Sequence, residues 1–274
     1  MFQPAIKWSG SKRSQASKIV SYFPNDIKTY YEPFCGGCSI FMALALSQKG
    51  VKKYVLSDIN EDLIKLWIYI KKDYGKVVSH YTELWNELNK NDDIERKKNY
   101  FYFIRNRFNN EKSPLDFMFI SRTTTNGLIR YNKSGEFNNS FHITRTGIKP
   151  GSLRKILKLW NYVLNKNNVQ LICCEYGDIN SNKGDFLYLD PPYANTKGMY
   201  YGAIQLEQLW NWIRNQPCGY ALSFDGISGK DNNTFNVPRD LYSEHIFIDS
   251  GNSSFKRLFG NNKKAQVHES LYNK

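Results

Sequence analysis

The sequence predicts an α/β protein, a doubly wound sheet that carries a helical, basic insertion, and three observations make that prediction. The chain opens with a strand, a glycine turn, a helix and a second strand ending in an acid, the order of a nucleotide-binding sheet. Near residue 61 the pattern changes to long helical stretches. From Val169 onward, short apolar strand-like runs return.

The elements follow in order. Thr29-Tyr30-Tyr31-Glu32-Pro33-Phe34 has strand character and runs into Gly36-Gly37; the apolar stretch from Ile40 to Ser47 then reads as a helix. Tyr54-Val55-Leu56-Ser57-Asp58 reads as the second strand, and Asn60 is placed to cap the next helix. Leu63 to Lys72 and Lys97 to Phe108 are helical. A polar, turn-rich segment, Thr123 to Gly151, is long for a structureless connection, and such loops are usually functional. Strands are expected at Val169 to Cys174, Asp185 to Asp190, Tyr220 to Phe224, Glu244 to Asp249 and Gln266 to Tyr272. The economical division is a main domain of residues 1–60 and 150–274, with 61–149 inserted between its second and third strands. There is no internal repeat and no low-complexity tract.

Composition narrows the classes of function. A hydrophobic content of 41% with 15% aromatics excludes a disordered chain. No apolar run reaches the length of about 18 residues that a membrane span needs. Met1-Phe2-Gln3-Pro4-Ala5-Ile6-Lys7-Trp8 lacks the core and cleavage site of a secretory signal. Five cysteines, two of them adjacent at Cys173-Cys174, make no disulfide framework, so a cytoplasmic setting is expected. His80, His142, His245 and His268 are scattered, and Cys35-Gly-Gly-Cys38 has no second pair, so no metal site is expected. The formal charge of +13 favours a polyanionic partner. It is clustered. Residues 117–149 set Arg122, Arg130, Lys133, Arg145 and Lys149 against the single acid Glu136, and 252–274 set Lys256, Arg257, Lys263, Lys264 and Lys274 against Glu269.

The motif that carries chemistry is Asp190-Pro191-Pro192-Tyr193, directly after the apolar run Phe186-Leu187-Tyr188-Leu189. Alone, two prolines simply stop a strand. Here they stand at a strand's C-terminal end, where open α/β sheets bind ligands. An exocyclic aromatic amine is a poor nucleophile, because its lone pair is delocalised into the ring. A carboxylate (Asp190) and a backbone carbonyl (that of Pro191) can each accept one N–H, which concentrates the lone pair on nitrogen for in-line attack. The flanking prolines preorganise that carbonyl. Tyr193 can stack on a base that has left a duplex.

The first strand's turn, Glu32-Pro33-Phe34-Cys35-Gly36-Gly37, is neither the dinucleotide fingerprint nor a phosphate loop. Paired glycines let backbone approach a ligand closely, which suits the methionine portion of a cofactor without phosphates. Asp58, at the end of the second strand, is placed to bind ribose hydroxyls.

Taken together and in order, several segments give the chain a family likeness. They are Lys7-Trp8-Ser9-Gly10-Ser11-Lys12, Glu32-Pro33-Phe34, Ser57-Asp58-Ile59-Asn60, Asn126-Gly127-Leu128-Ile129-Arg130-Tyr131-Asn132, Gly135-Glu136-Phe137-Asn138, Gly177-Asp178, Asp190-Pro191-Pro192-Tyr193, and Lys263-Lys264 ahead of Glu269-Ser270-Leu271-Tyr272. The sequence resembles the DNA adenine methyltransferase (Dam) family. That resemblance implies a Rossmann-like class I methyltransferase fold with a target-recognition insertion, S-adenosyl-L-methionine as cofactor, and methylation of N6 of a flipped adenine in a short duplex site, with GATC as the first guess. It implies that Trp8, Lys12, Glu32, Pro33, Phe34, Gly36, Gly37, Asp58, Ile59, Asp178, Ile179 and Asp190 bind the cofactor, and that Asp190, Pro191, Pro192 and Tyr193 are catalytic. Lys7, Arg122, Thr125, Asn126, Leu128, Arg130, Asn132, Lys133, Asn138 and Ser140 would contact DNA, with Arg130 reading a guanine by paired hydrogen bonds. A cognate restriction endonuclease is a candidate partner, and a monomer or weak dimer the expected state.

There are two departures. Thr125 stands where the family has an aromatic wedge, and Asn139-Ser140-Phe141-His142 replaces the usual continuation after Glu136-Phe137-Asn138. Cytosine-N4 methylation, RNA adenine methylation and a silent DNA-binding protein on the same scaffold stay open as alternatives, the first disfavoured because those enzymes more often begin the tetrapeptide with Ser.

Overall fold

The computed structural model describes residues 2–192, 204–228, 231–252 and 266–274. Its centre is one sheet. Strands β1 (Asp26–Glu32), β2 (Gly50–Asp58), β3 (Val169–Cys173), β4 (Phe186–Leu189), β5 (Gly219–Ser228), β7 (Glu244–Asn252) and β8 (Gln266–Asn273) lie in the order β3-β2-β1-β4-β5-β8-β7, and the two-residue β6 (Asp231–Asn232) pairs with β5. The first five are mutually parallel, while β8 runs antiparallel to β5 and β7. The chain winds from β1 to β2 and β3 on one side, then returns to β4 and β5 on the other. The β1/β4 boundary is therefore a topological switch point, where such sheets leave a crevice at their carboxyl ends.

The doubly wound prediction stands, with shifted boundaries. β1 begins at Asp26, and Pro33-Phe34 already belongs to the turn. Two short helices were not foreseen: α1 (Ala16–Ser21) and α7 (Leu206–Arg214). The glycine turn leads into α2 (Ser39–Ala45). Asn60 does cap α3 (Glu61–Leu88), accepting the Leu63 N–H at 3.0 Å, and α3 is interrupted at Asp73, whose φ of −154° leaves the helix.

Between β2 and β3 the chain also forms α4 (Ile94–Glu111), α5 (Pro114–Thr123) and α6 (Pro150–Lys166). These helices share a core with the sheet. Trp67 of α3 and Trp160 of α6 are wholly buried with ring centroids 4.9 Å apart, and burying such a side chain is worth roughly 2–3 kcal/mol. Asp116 of α5, also fully buried, accepts the Arg107 guanidinium of α4 at 2.7 and 2.6 Å and shares a 2.7 Å hydrogen bond with His80 of α3. Burial opposes its charge, but those two partners hold the carboxyl below its usual range. The long turn-rich loop thus follows a three-helix base tied together at Asp116.

Candidate active site

The glycine turn is shaped by two tryptophans. Gly36 has φ +44°, and a Cβ there would lie 2.5 Å from Trp8 Nε1; on Gly37 it would lie 3.1 Å from Trp8 Cβ. The close approach for which these glycines are needed is made first by an indole of this chain. Trp67 Nε1 donates to the Gly36 carbonyl at 3.0 Å, while the Gly36 N–H donates to Asp58 at 3.0 Å. Asp58 also accepts the Asn60 N–H at 3.0 Å, so one carboxylate ties the turn after β1 to the end of β2. Burial pushes the Asp58 carboxyl up to about 6, against the pull of those backbone donors.

Across the switch point, Asp190 leaves β4 and meets Lys12 at 3.1 Å. Lys12 is 4% exposed, and its ammonium also pairs with Glu269 of β8 at 2.9 Å. Burial alone would discharge this lysine, yet Asp190 and Glu269 hold its pKa far above the usual value. Asp225 of β5 is pushed up by burial and by Glu269, with Lys12 opposing. Glu32, at the end of β1, accepts from Tyr30 Oη at 2.8 Å and the Phe41 N–H at 2.9 Å; burial nevertheless raises its carboxyl to about 8.

Lys12, Glu32, Asp58, Asp190 and Asp225 line one cavity of about 990 Å³. Of the residues expected to hold a cofactor, Trp8, Lys12, Glu32, Pro33, Phe34, Gly36, Gly37, Asp58, Ile59 and Asp190 line it, as do Pro191 and Pro192. Asp178 and Ile179 do not. The lining instead falls on Cys174, Glu175 and Tyr176. The reason is local: Asp178 accepts the Glu175 N–H at 3.2 Å and closes a short 3₁₀ turn, and Ile179 is buried in the core beneath it. Tyr193 lies outside the described residues.

S-adenosyl-L-methionine, a cation at its sulfur, can be tested against this lining. Among the described residues the cavity presents five acids (Glu32, Asp58, Glu175, Asp190 and Asp225) against Lys12 and Lys133. Even with Glu32 protonated, its carboxyl being raised to about 8, the remaining acids outnumber the two lysines, which favours a positively charged occupant. Asp58 sits beside the turn, Tyr176 packs on Phe34 with centroids 5.5 Å apart to form an aromatic wall, and the volume suffices for a nucleoside and an amino acid. The residues fit the cofactor.

Eight of the ten expected DNA-contacting residues gather on the loop between α5 and α6, while Arg122 lies in α5 and Lys7 near the N-terminus. Bridges Thr124↔Phe141 and Tyr131↔Phe137 close it on itself. Arg130 is exposed, and its Nε donates to Asn138 Oδ1 at 3.0 Å, which aims the guanidinium. Asn126 stands at an exposed left-handed tip with φ +56°; the Leu128 carbonyl is held by Asn139 Nδ2 at 2.9 Å. Asn132 folds the Ser134-Gly135 turn by accepting two backbone N–H groups, and with Lys133 it reaches the main cavity. Tyr131 anchors the loop, donating to Asp62 of α3 at 2.7 Å.

Thr125, Ser140 and Arg122 also make contacts within the protein. Thr125 Oγ1 is engaged with the Ser140 hydroxyl at 3.0 Å and the Phe141 carbonyl at 3.1 Å, so it and Ser140 brace the loop. Arg122 turns inward to donate to the carbonyls of Pro4 (2.6 Å) and Ala5, because a buried guanidinium takes the acceptors at hand. It borders a second cavity of about 380 Å³, lined by Lys7, Arg145, Thr124, Thr144, Thr146 and others, with no acid among the described residues. Burial and the neighbouring Arg145 and Arg122 lower the Lys7 pKa, as crowded cations must.

Asp225, Glu175 and Tyr176 were not singled out from the sequence, and Glu269, Tyr131 and Arg145 stood there only within motifs or charge clusters, with no site role. For Asp225, an acid inside a mostly apolar strand was the available signal; Glu269, in the largely polar run Gln266–Asn273, carried none.

Comparison with known proteins places these features. A family model described as "D12 class N6 adenine-specific DNA methyltransferase" matches residues 8–208. The type II methyltransferase M.MjaIII of Methanocaldococcus jannaschii is 31% identical over 70% of this chain and 69% of its own length. A DNA adenine methylase of Haemophilus influenzae is 30% identical over 70% of this chain and 64% of its own. For M.FokI of Planomicrobium okeanokoites the identity is 29%, over 76% of this chain but only 32% of that longer protein. Among solved structures, the rRNA methyltransferase aviRa of Streptomyces viridochromogenes aligns over 94% of this chain and 83% of its own at 10% identity, with a TM-score of 0.37.

Proposed function

Since the chain belongs to the D12 class N6 adenine-specific DNA methyltransferase family, we propose that it transfers the methyl group of S-adenosyl-L-methionine to N6 of an adenine extruded from a short duplex DNA site. The observation that carries the reading is Asp190: a carboxylate at the end of β4, lining the acid-rich cavity and held by a buried lysine 3.1 Å away. When bound, the cofactor supplies an electrophilic methyl on a positively charged sulfur.

The chain's part is to make the amine nucleophilic. Asp190 accepts one N6–H and the Pro191 carbonyl the other, so the lone pair localises on nitrogen. The N–C bond forms as the C–S bond breaks, its electron pair passing to sulfur. N6 then releases one proton through Asp190 to solvent. Trp8, pressed on Gly36-Gly37, and Asp58 orient the donor, and Tyr193 is proposed as the platform on which the flipped base stacks.

Residues 61–149 act as the target-recognition insertion on a catalytic body of 1–60 and 150–274. Arg130 is assigned to base reading in the major groove, and Asn126, Leu128, Asn138 and Lys133 to the neighbouring contacts. The cavity of Lys7, Arg122 and Arg145, which no acid lines among the described residues, takes a backbone phosphate, the group that three clustered cations favour. A partnership with a restriction endonuclease is proposed on the type II names of the relatives.

The test is to incubate unmethylated DNA with the protein and cofactor, measure modified nucleosides by mass spectrometry, and sequence for modified positions, beginning with GATC duplexes. N6-methyladenine is the expected product, and Asp190→Ala should abolish it in a protein that still folds and binds duplex DNA. N4-methylcytosine, or methylation of RNA alone, would overturn the assignment.

A further inference from the structure

The ammonium that holds Asp190 is shared. Lys12 lies 3.1 Å from Asp190 and 2.9 Å from Glu269, and it is almost wholly buried. Glu269 comes from β8, the last strand, and is absent from the cavity lining. Its approach is built into the sheet. The pairing of β5 with β8 shifts register between Phe224 and Ile227, and at that bulge Gly226 lies directly against the backbone of His268 and Glu269, where any Cβ would collide. The distortion brings the strand's carboxylate inward to a lysine from the other end of the chain.

A lone buried lysine against Asp190 would hold the carboxylate in place but weaken it as an acceptor, because the ammonium competes with N6–H for the same lone pairs. A second carboxylate on that ammonium draws part of its charge away. We propose that Glu269 is a positioning residue for methyl transfer, sharing Lys12 with Asp190 so that Asp190 is fixed in place yet remains a strong acceptor for the target amine. This rests on the methyltransferase reading above. The other ionisable groups facing the cluster are Asp225 of β5, Tyr188 of β4 and Glu32 of β1, the last bonded to Tyr30. Asp225 adds further negative charge near Lys12, while Glu32, raised to about 8, is mostly protonated at neutral pH. On β7, the residue paired with Glu269 is the apolar Ile248. Glu269 is thus the second carboxylate in ion-pair contact with Lys12 among the described residues.

The variant is Glu269→Gln, which keeps shape and removes charge, with Glu269→Asp as the charge-retaining control. Wild type is assayed first; absence of N6-methyladenine there defeats the methyltransferase reading itself. With an active wild type, Glu269→Gln is expected to lower kcat about tenfold with KM for DNA and cofactor within about twofold. The acid limb of its kcat–pH profile should move to lower pH, and Glu269→Asp should restore part of the rate. A binding readout needs no turnover. In the presence of S-adenosylhomocysteine, wild type should prefer a duplex with adenine at the mapped site over one with unsubstituted purine there, and Glu269→Gln should narrow that preference. A folded, cofactor-binding Glu269→Gln protein with unchanged kcat, pH limb and adenine preference would overturn the proposal. So would a loss seen only in cofactor KM.

Discussion

Replacing Gly36 by alanine tests the architecture of the cofactor turn. The new methyl would sit 2.5 Å from Trp8 Nε1 and 2.8 Å from its Cδ1, on a backbone with φ +44°. Two costs follow. Holding a residue with a Cβ in the left-handed region costs about 1–2 kcal/mol. Displacing a packed indole from a site with no spare room adds about 1–3 kcal/mol. The carbonyl of Gly36 is fixed by Trp67 and its N–H by Asp58, so the turn cannot swing aside without breaking a 3.0 Å bond on either side. A total of about 2–5 kcal/mol is expected by adding the two, divided between stability and cofactor affinity. The assay is denaturant unfolding alongside calorimetric titration of S-adenosyl-L-methionine, for Gly36→Ala in the native and the Trp8→Ala backgrounds. If Trp8 is the obstacle, the steric part disappears in the double variant, a coupling of about 1–3 kcal/mol between neighbours. An equal loss in both backgrounds would refute the packing argument and leave only backbone strain.

Two other outcomes follow from the same geometry. Burial holds Glu32 at about 8, well above an unfolded carboxyl, so the folded state binds its proton more tightly; the stability this contributes is complete below about 4.5 and is lost as pH rises through about 8. Glu32→Gln should flatten that decline in thermal melts between those limits, and a wild-type-like slope would show that Glu32 is not the titrating group. Arg145→Ala should weaken duplex binding equally across sequences and reduce the slope of log affinity against log salt by about 1; a loss confined to one recognition sequence would instead make Arg145 a base reader.

Short-range chemistry was readable from adjacent residues. The strand–glycine–helix–strand opening and the apolar runs from Val169 onward led to the doubly wound sheet, because pleat, turn and capping preferences are written in adjacent residues. Asn60 was legible as a cap, and the Asp190-Pro191-Pro192 motif as a strand-end site, for the same reason. α1 was not legible: at six residues it is too short to display a helical period. α7 does carry one, with Leu206, Leu209, Trp210 and Ile213 on one face, so its signal was present and missed. Tertiary structure alone decided who meets whom. It turned Arg122 toward Pro4 and Ala5, set Thr125 to bracing a loop, moved the lining from Asp178 to Glu175 and Tyr176, and laid Trp8 on the glycines. It also brought Lys12 from the start of the chain and Glu269 from its last strand onto one ion-pair cluster with Asp190. No local pattern marks such a pair, because a buried charge is satisfied by whichever partner the packed sheet delivers to it, and sequence distance has no bearing on that choice.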